Sequence, residues 1–169
     1  MRAPRRAHQI GFTLVEAMVT VVLVAILASL AAPSFQSTLA RFRVRTAAES
    51  LMSGLQLARS EALRRNQPVR FALGEPAGNW TVTTVTSGTL VQQAKGGAHA
   101  SLTLTPNAGQ SSVVFLATGL TDTSAARLEQ VDVTTPVSGV TGWRVEIHGG
   151  GQVRMCDPAV TAVGDPRHC

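Results

Sequence analysis

From residue 12 to residue 32 the chain reads "FTLVEAMVTVVLVAILASLAA", apolar or small at every position except Glu16. As a helix this run rises about 31 Å, enough to cross the hydrocarbon of a bilayer. A carboxylate near the middle of such a span costs about 2.5–3.5 kcal/mol on insertion scales. The run therefore demands a lipid or protein environment, and Glu16 demands a partner within it.

Three readings compete for this segment. A cleavable secretory signal has a basic start, a short apolar stretch and a small-residue site, which "SLAA" at 29–32 supplies. A plain anchor needs about 20 apolar residues. Neither accounts for Glu16. The 169 residues suit one domain plus this appendage. With no Tyr and only 4% aromatic residues, the core of that domain must be mostly aliphatic.

The formal charge of +5 raises the question of a polyanion partner. Three of the positive charges, Arg2, Arg5 and Arg6, precede the apolar run. Removing them from the 15 Lys and Arg leaves 12 against 10 acidic residues, about +2. The basicity is thus better read as a topology signal, with the N-terminus on the cytoplasmic side. Arg41, Arg43 and Arg45 follow the run and roughly balance the count, but at greater distance.

The third reading comes from the residues themselves. Gly11, Phe12 and "TLVE" ending in Glu16 resemble the N-terminus of type IV prepilins and type II secretion pseudopilins. The resemblance implies that a prepilin peptidase cuts after Gly11, that Phe12 is N-methylated, and that residues 12–32 stay attached. They would serve first as a single-pass inner-membrane anchor and then as the packing core of a filament. Glu16 would meet the N-terminal amine of a neighbouring subunit, which makes a buried charge much cheaper. Pro33 lies where such helices carry a kink, since it lacks an N–H and clashes with the preceding turn.

Residues 34–66 continue as helix. Ala48, Leu51, Leu55, Ala58 and Ala62 recur at spacings of three and four and make one apolar face. Arg45 and Glu49 can pair at i,i+4. "RNQP" at 65–68 ends the helix, because the residue before Pro is pushed out of helical geometry. "LQLARSEALRRNQPVRF", 55–71, resembles the helix-to-strand passage of GspH/FimT-type minor pseudopilins, with Arg59, Glu61 and Arg64 expected in solvent. Beyond Pro68 candidate strands lie at 69–73, 80–85, 102–105, 113–116, 128–134, 143–147 and 152–156, bounded by Gly, Pro, Ser or Asn. A hairpin turns near Ser87 and Gly88, while "KGGAHA" (95–100) and "NAGQSS" (107–112) read as exposed loops. The expected fold is α+β: a long N-terminal helix, membrane-spanning in its first half, packed on an antiparallel head of two small sheets. The expected organisation is a leader at 1–11, a span at 12–32, an amphipathic continuation at 33–67 and a β-rich periplasmic head at 68–169.

Catalytic patterns are missing from the sequence. His8, His99, His148 and His168 are scattered, and no phosphate loop, HExxH or nucleophile elbow occurs. "HGGGQ" at 148–152 reads as a tight turn between two strands. No enzyme activity, cofactor or metal is expected. Cys156 and Cys169 are the two cysteines. In an oxidising compartment they would close a short loop, and in the cytosol they would be free thiols.

The passage 142–158 resembles the end of GspH/FimT-type proteins, some of which carry a Gly-Arg-x-Arg pattern implicated in DNA uptake. Here the match is Gly151, Gln152, Val153, Arg154, so the first Arg is Gln. Arg144, Arg154 and Arg167 remain candidate DNA contacts, diluted by Glu146, Asp157 and Asp165. Trp80 and Trp143 read as core anchors rather than stacking platforms. The resemblance implies a structural minor pilin or pseudopilin, initiating or capping a type II secretion pseudopilus or a type IV pilus. Its implied partners are the prepilin peptidase, other minor and major pilins or pseudopilins, and the inner membrane. The alternative is a minor pilin that captures DNA.

Overall fold

The computed structural model describes residues 12–95 and 101–169. The leader, with Gly11 and His8, lies outside the described residues, as do His99 and most of the 95–100 loop. Helix α1 (Leu14–Arg65) is followed by eight strands. These are β1 (Val69–Gly74), β2 (Asn79–Thr84), β3 (Leu90–Ala94), β4 (Thr103–Pro106), β5 (Ser112–Phe115), β6 (Gln130–Thr134), β7 (Trp143–Ile147) and β8 (Val153–Cys156). They form two antiparallel four-stranded sheets, in the orders β3-β2-β1-β5 and β4-β6-β7-β8. The architecture is the expected α+β one.

By compactness the chain divides into two units, Met1–Gln36 and Ser37–Cys169. The second unit owns the C-terminal part of α1, and that part carries the head's packing. Val44, Ala48, Leu51, Leu55, Ala58 and Ala62 are buried along one face of the helix, as the three-and-four spacing requires. Phe71, Val82 and Phe115 from the first sheet meet them, as do Val131, Val133 and Val145 from the second, in one continuous core. Phe71 and Trp80 pack with ring centroids 5.7 Å apart, and the Trp80 indole N–H donates to Ser50 Oγ at 3.1 Å. The helix lies so close here that a Cβ on Gly54 would come within 2.8–2.9 Å of both rings.

The helix ends by a device beyond the Pro68 rule. Asn66 takes a left-handed conformation (φ 51°). Gln67 N–H donates to Ala62 O at 3.3 Å and Asn66 N–H to Leu63 O at 3.4 Å. This pair of bonds is a Schellman cap, with Asn in the position that glycine usually takes.

Three sequence expectations need correction, and the expected hairpin at 87–88 is extended. The second arm of the 87–88 hairpin is a full strand, β3, paired with β2. Leu128 is buried in the approach to β6 rather than in a strand, and its N–H donates to Ser112 O at 2.8 Å. The 107–112 segment is no plain loop: Asn107 opens a 3-10 turn, and its Oδ1 accepts from the N–H of Glu129 (2.7 Å) and Gln130 (3.0 Å). Arg59 and Glu61 are half-buried rather than wet. Each of the last two reversals pins segments far apart in sequence, which local pattern does not encode.

Candidate functional site

The first turn of α1 is built by "TLVE". Thr13 is its N-cap: Thr13 Oγ1 accepts from the backbone N–H of Glu16 at 3.2 Å, and Thr13 O accepts from Ala17 N–H at 3.1 Å. Ser/Thr followed three residues later by Glu is the capping-box pattern. Sequence reasoning centred on Glu16 passed over Thr13, although that spacing was in view. Glu16 also sits at the positive end of the helix dipole, where a carboxylate is favoured.

Beyond Glu16 the helix surface is apolar on every side. Phe12 is 84% exposed, and Leu14, Met18, Val22 and Leu27 are also exposed. The hydroxyls within the run are satisfied locally, Thr20 donating to Ala17 O at 2.9 Å and Ser29 to Ile26 O at 2.7 Å. A helix apolar all round is a membrane span or a core element of something larger. Among the described residues no single helix is long and apolar enough to cross a membrane. The segments Leu14–Leu30 and Ser34–Arg65 meet that test only as a pair.

Within the second unit, the β7–β8 hairpin carries the remaining sequence candidates. Its tip is the tight turn expected of "HGGGQ", with His148 N–H donating to Gln152 O at 2.9 Å and Gly151 N–H to His148 O at 2.8 Å. Gly151 has a positive φ of 75°, and a Cβ there would collide with the carbonyl oxygen of Gly119. The same carbonyl accepts from Arg59 Nε at 3.1 Å, and Arg59 Nη2 reaches Gly150 O at 3.5 Å. Arg59 therefore ties α1 to both the β5–β6 connection and the hairpin tip. The glycine that opens the Gly-x-x-Arg pattern is required by this close approach.

Each of the three candidate DNA-contacting arginines stands against a carboxylate. Arg144 grips Asp132 on the neighbouring strand at 2.6 and 2.9 Å, and that bond raises its already high pKa. Arg154 pairs with Glu146 at 2.8 Å and its Nη1 reaches His168 O at 3.4 Å. Arg167 pairs with Asp165 at 2.9 Å. The Arg167 guanidinium, with its backbone N–H, holds the Asp165 carboxyl at about 2. Binding to a polyanion is driven by cations that release counterions, and each of these already has a carboxylate. Trp80 is buried and Trp143 is half-buried against the core.

Cys156 and Cys169 are joined in a disulfide. The tail it closes is held further by Asp157 N–H donating to Arg167 O at 2.7 Å. Among the described residues the one cluster of ligand-type side chains is Glu146 with these two cysteines. Both sulfurs are committed to the disulfide, so the cluster is no metal site. A polar depression of about 430 Å³ is lined by Arg127, Glu129, Glu146, His148 and Arg154, with its charges paired off across it.

Comparison with known proteins agrees with this geometry. Residues 47–151 match the family described as Type II transport protein GspH, and residues 6–32 match the Prokaryotic N-terminal methylation motif. No curated protein matches the chain. Among solved structures it resembles the type IV minor pilin FimU of Pseudomonas aeruginosa, at 21% identity and TM-score 0.58, over 68% of this chain and 89% of that one. It also resembles the minor pseudopilin EpsH from the Type 2 Secretion System of Vibrio cholerae, at 18% identity and TM-score 0.55, over 70% of this chain and 99% of that one. At these identities the two structures speak for the fold, while the matched family covers more than half of the chain. The chain belongs to the family described as Type II transport protein GspH.

Proposed function

We propose that this protein is a non-enzymatic minor subunit, near the tip of a type II secretion pseudopilus or a type IV pilus. A prepilin peptidase removes the leader after Gly11 and methylates the new N-terminus at Phe12. Residues 12–32 hold the subunit in the inner membrane with its head in the periplasm, and later pack among the helices of other pilins or pseudopilins. Glu16 then pairs with the amine of a neighbour, and Pro33 lets the helix bend as the subunit leaves the bilayer.

One observation carries the reading. The N-terminal part of α1 exposes apolar side chains with a single carboxylate among them, and the head has a core of its own from Val44 onward. Apolar surface on that scale needs lipid or other helices to cover it.

N-terminal sequencing and intact mass of the membrane-fraction protein test the proposal. An N-methylated Phe12 terminus is the expected result. A terminus near Ala32 or Pro33 would mean that the helix was a discarded signal, and the filament reading would fall.

A further inference from the structure

We propose that Arg41, Arg43 and Arg45 form a collar that binds the phosphates of anionic phospholipids in the leaflet facing the head. This contact sets the depth of α1 in the bilayer. The inference rests on the anchor reading above and extends it to a lipid class.

Ala40, Val44 and Ala48 are buried against the head, while Arg41, Phe42, Arg43 and Arg45 around them are exposed, Phe42 to 64%. Two of the three arginines keep an uncompensated charge. Arg41 donates to Gly139 O at 3.0 Å, a neutral carbonyl. Among the described residues, neither Arg41 nor Arg43 has a carboxylate within ion-pair distance. Arg45 pairs with Glu49 at 2.8 Å, but both side chains are well exposed, and such pairs are readily shared or exchanged. No acidic residue lies between Glu16 and Glu49. On a helix the Cα–Cβ bonds tilt toward the N-terminus, so the three side chains lean toward the apolar end.

Length supports the same partner. Between Glu16 and Arg41 the chain carries no charge for about 24 residues, about 36 Å at helical rise. That exceeds the hydrocarbon thickness of about 30 Å and falls short of the full bilayer at about 40–45 Å. Positive charge flanking both ends of the span, an oddity under the positive-inside rule, becomes a second foothold.

The test uses the full-length chain in detergent micelles, titrated with phosphatidylglycerol or phosphatidylcholine and read by native mass spectrometry. Each unpaired arginine near an anionic headgroup favours binding about fivefold, so the pair predicts roughly a thirtyfold preference for phosphatidylglycerol at low salt. Arg41→Gln with Arg43→Gln should reduce the preference to that left by the leader arginines, while the Arg→Lys pair should keep most of it. Both side chains are exposed, and unchanged Trp fluorescence would report an intact head. The idea is overturned if wild type shows no preference, or if only Arg5→Gln with Arg6→Gln lowers it. It is equally overturned if double-stranded DNA or inorganic phosphate at matched charge displaces the lipid. Alkaline carbonate extraction separates the failures: a chain that washes off membranes refutes the anchor, whereas one that stays without lipid preference refutes only the collar.

Discussion

Replacing Gly54 by Ala sets two magnitudes of opposite sign against each other. In a helix interior the exchange is worth about 1 kcal/mol in favour of Ala. At this site the new methyl would stand 2.8–2.9 Å from Trp80 Cε2, Trp80 Cδ2 and Phe71 Cε2. Carbon atoms prefer about 3.5–4.0 Å, so both rings must retreat by about 0.7 Å or more. Neither has room. Phe71 is fully buried, Trp80 is 6% exposed, and its indole is tethered to Ser50. Overpacking typically costs about 1–3 kcal/mol, and two rigid rings argue for the upper half of that range. Gly54→Ala should therefore be less stable than wild type by about 1–2 kcal/mol. The assay is urea unfolding of the full-length chain in detergent, followed by Trp fluorescence, because both Trp residues lie in the head. Ser53→Ala, next door and exposed, is the control and should be neutral or gain up to about 0.5 kcal/mol. If Gly54→Ala matches or exceeds wild type, the close approach of helix and sheet is not the reason for glycine there.

Further outcomes follow from the same contacts. Replacing both Cys156 and Cys169 by Ser, whose separation is 13 residues, should lower stability by about 3 kcal/mol on chain-entropy grounds. An unchanged midpoint without the disulfide would show that the remaining tail bonds suffice. Gly151→Ala should be strongly destabilising because of its positive φ and the Gly119 carbonyl, whereas Gly150→Ala, which meets nothing within 4 Å, should be tolerated. Equal thermal midpoints for the two would refute the account of the hairpin tip. Hydrogen bonds from Arg64 and Arg65 hold the Glu61 carboxyl at about 2, below its ordinary 4.5. A depressed carboxylate contributes stability that is present above about pH 4.5 and is lost as pH falls through about 2. Glu61→Gln should thus be less stable than wild type at pH 7, with the gap closing toward pH 2. A gap independent of pH would remove the ion pairs from the explanation. Asp165 titrates in the same window, so the comparison must be between the two proteins rather than along one acid limb.

The local level of the fold was legible because its signals are short-ranged. Ala48, Leu51, Leu55, Ala58 and Ala62 announce a buried helical face by spacing alone, and the structure buries all five. Seven of the eight strands stand close to their expected places, since Val and Thr alternation with Gly and Asn boundaries reports half-buried strands. β3 was blurred because "LVQQA" is an edge strand with mostly exposed residues and so carries little alternation. Asn66 as helix stop and Thr13 as helix start were readable as caps, but a nearby proline and a nearby glutamate drew the inference instead.

The candidate site divides along the same line. By itself the sequence determined the apolar run with its lone Glu16, the match of residues 6–32 to the N-terminal methylation motif, and the absence of catalytic patterns. Composition and short spacings carry all of these. Only the tertiary structure decided what the arginines do. In the sequence Arg59, Arg144, Arg154 and Arg167 are alike, four positive charges free to seek a polyanion. In the fold Arg59 becomes a tie between two glycine carbonyls, 60 and 91 residues away. Arg144 and Arg154 each find a carboxylate across a strand pair, at separations of 12 and 8 residues. Among the described residues Arg41 and Arg43 are left without one. A charge is defined physically by what compensates it, and those partners are set by strand register and helix placement, which no local stretch of chain contains.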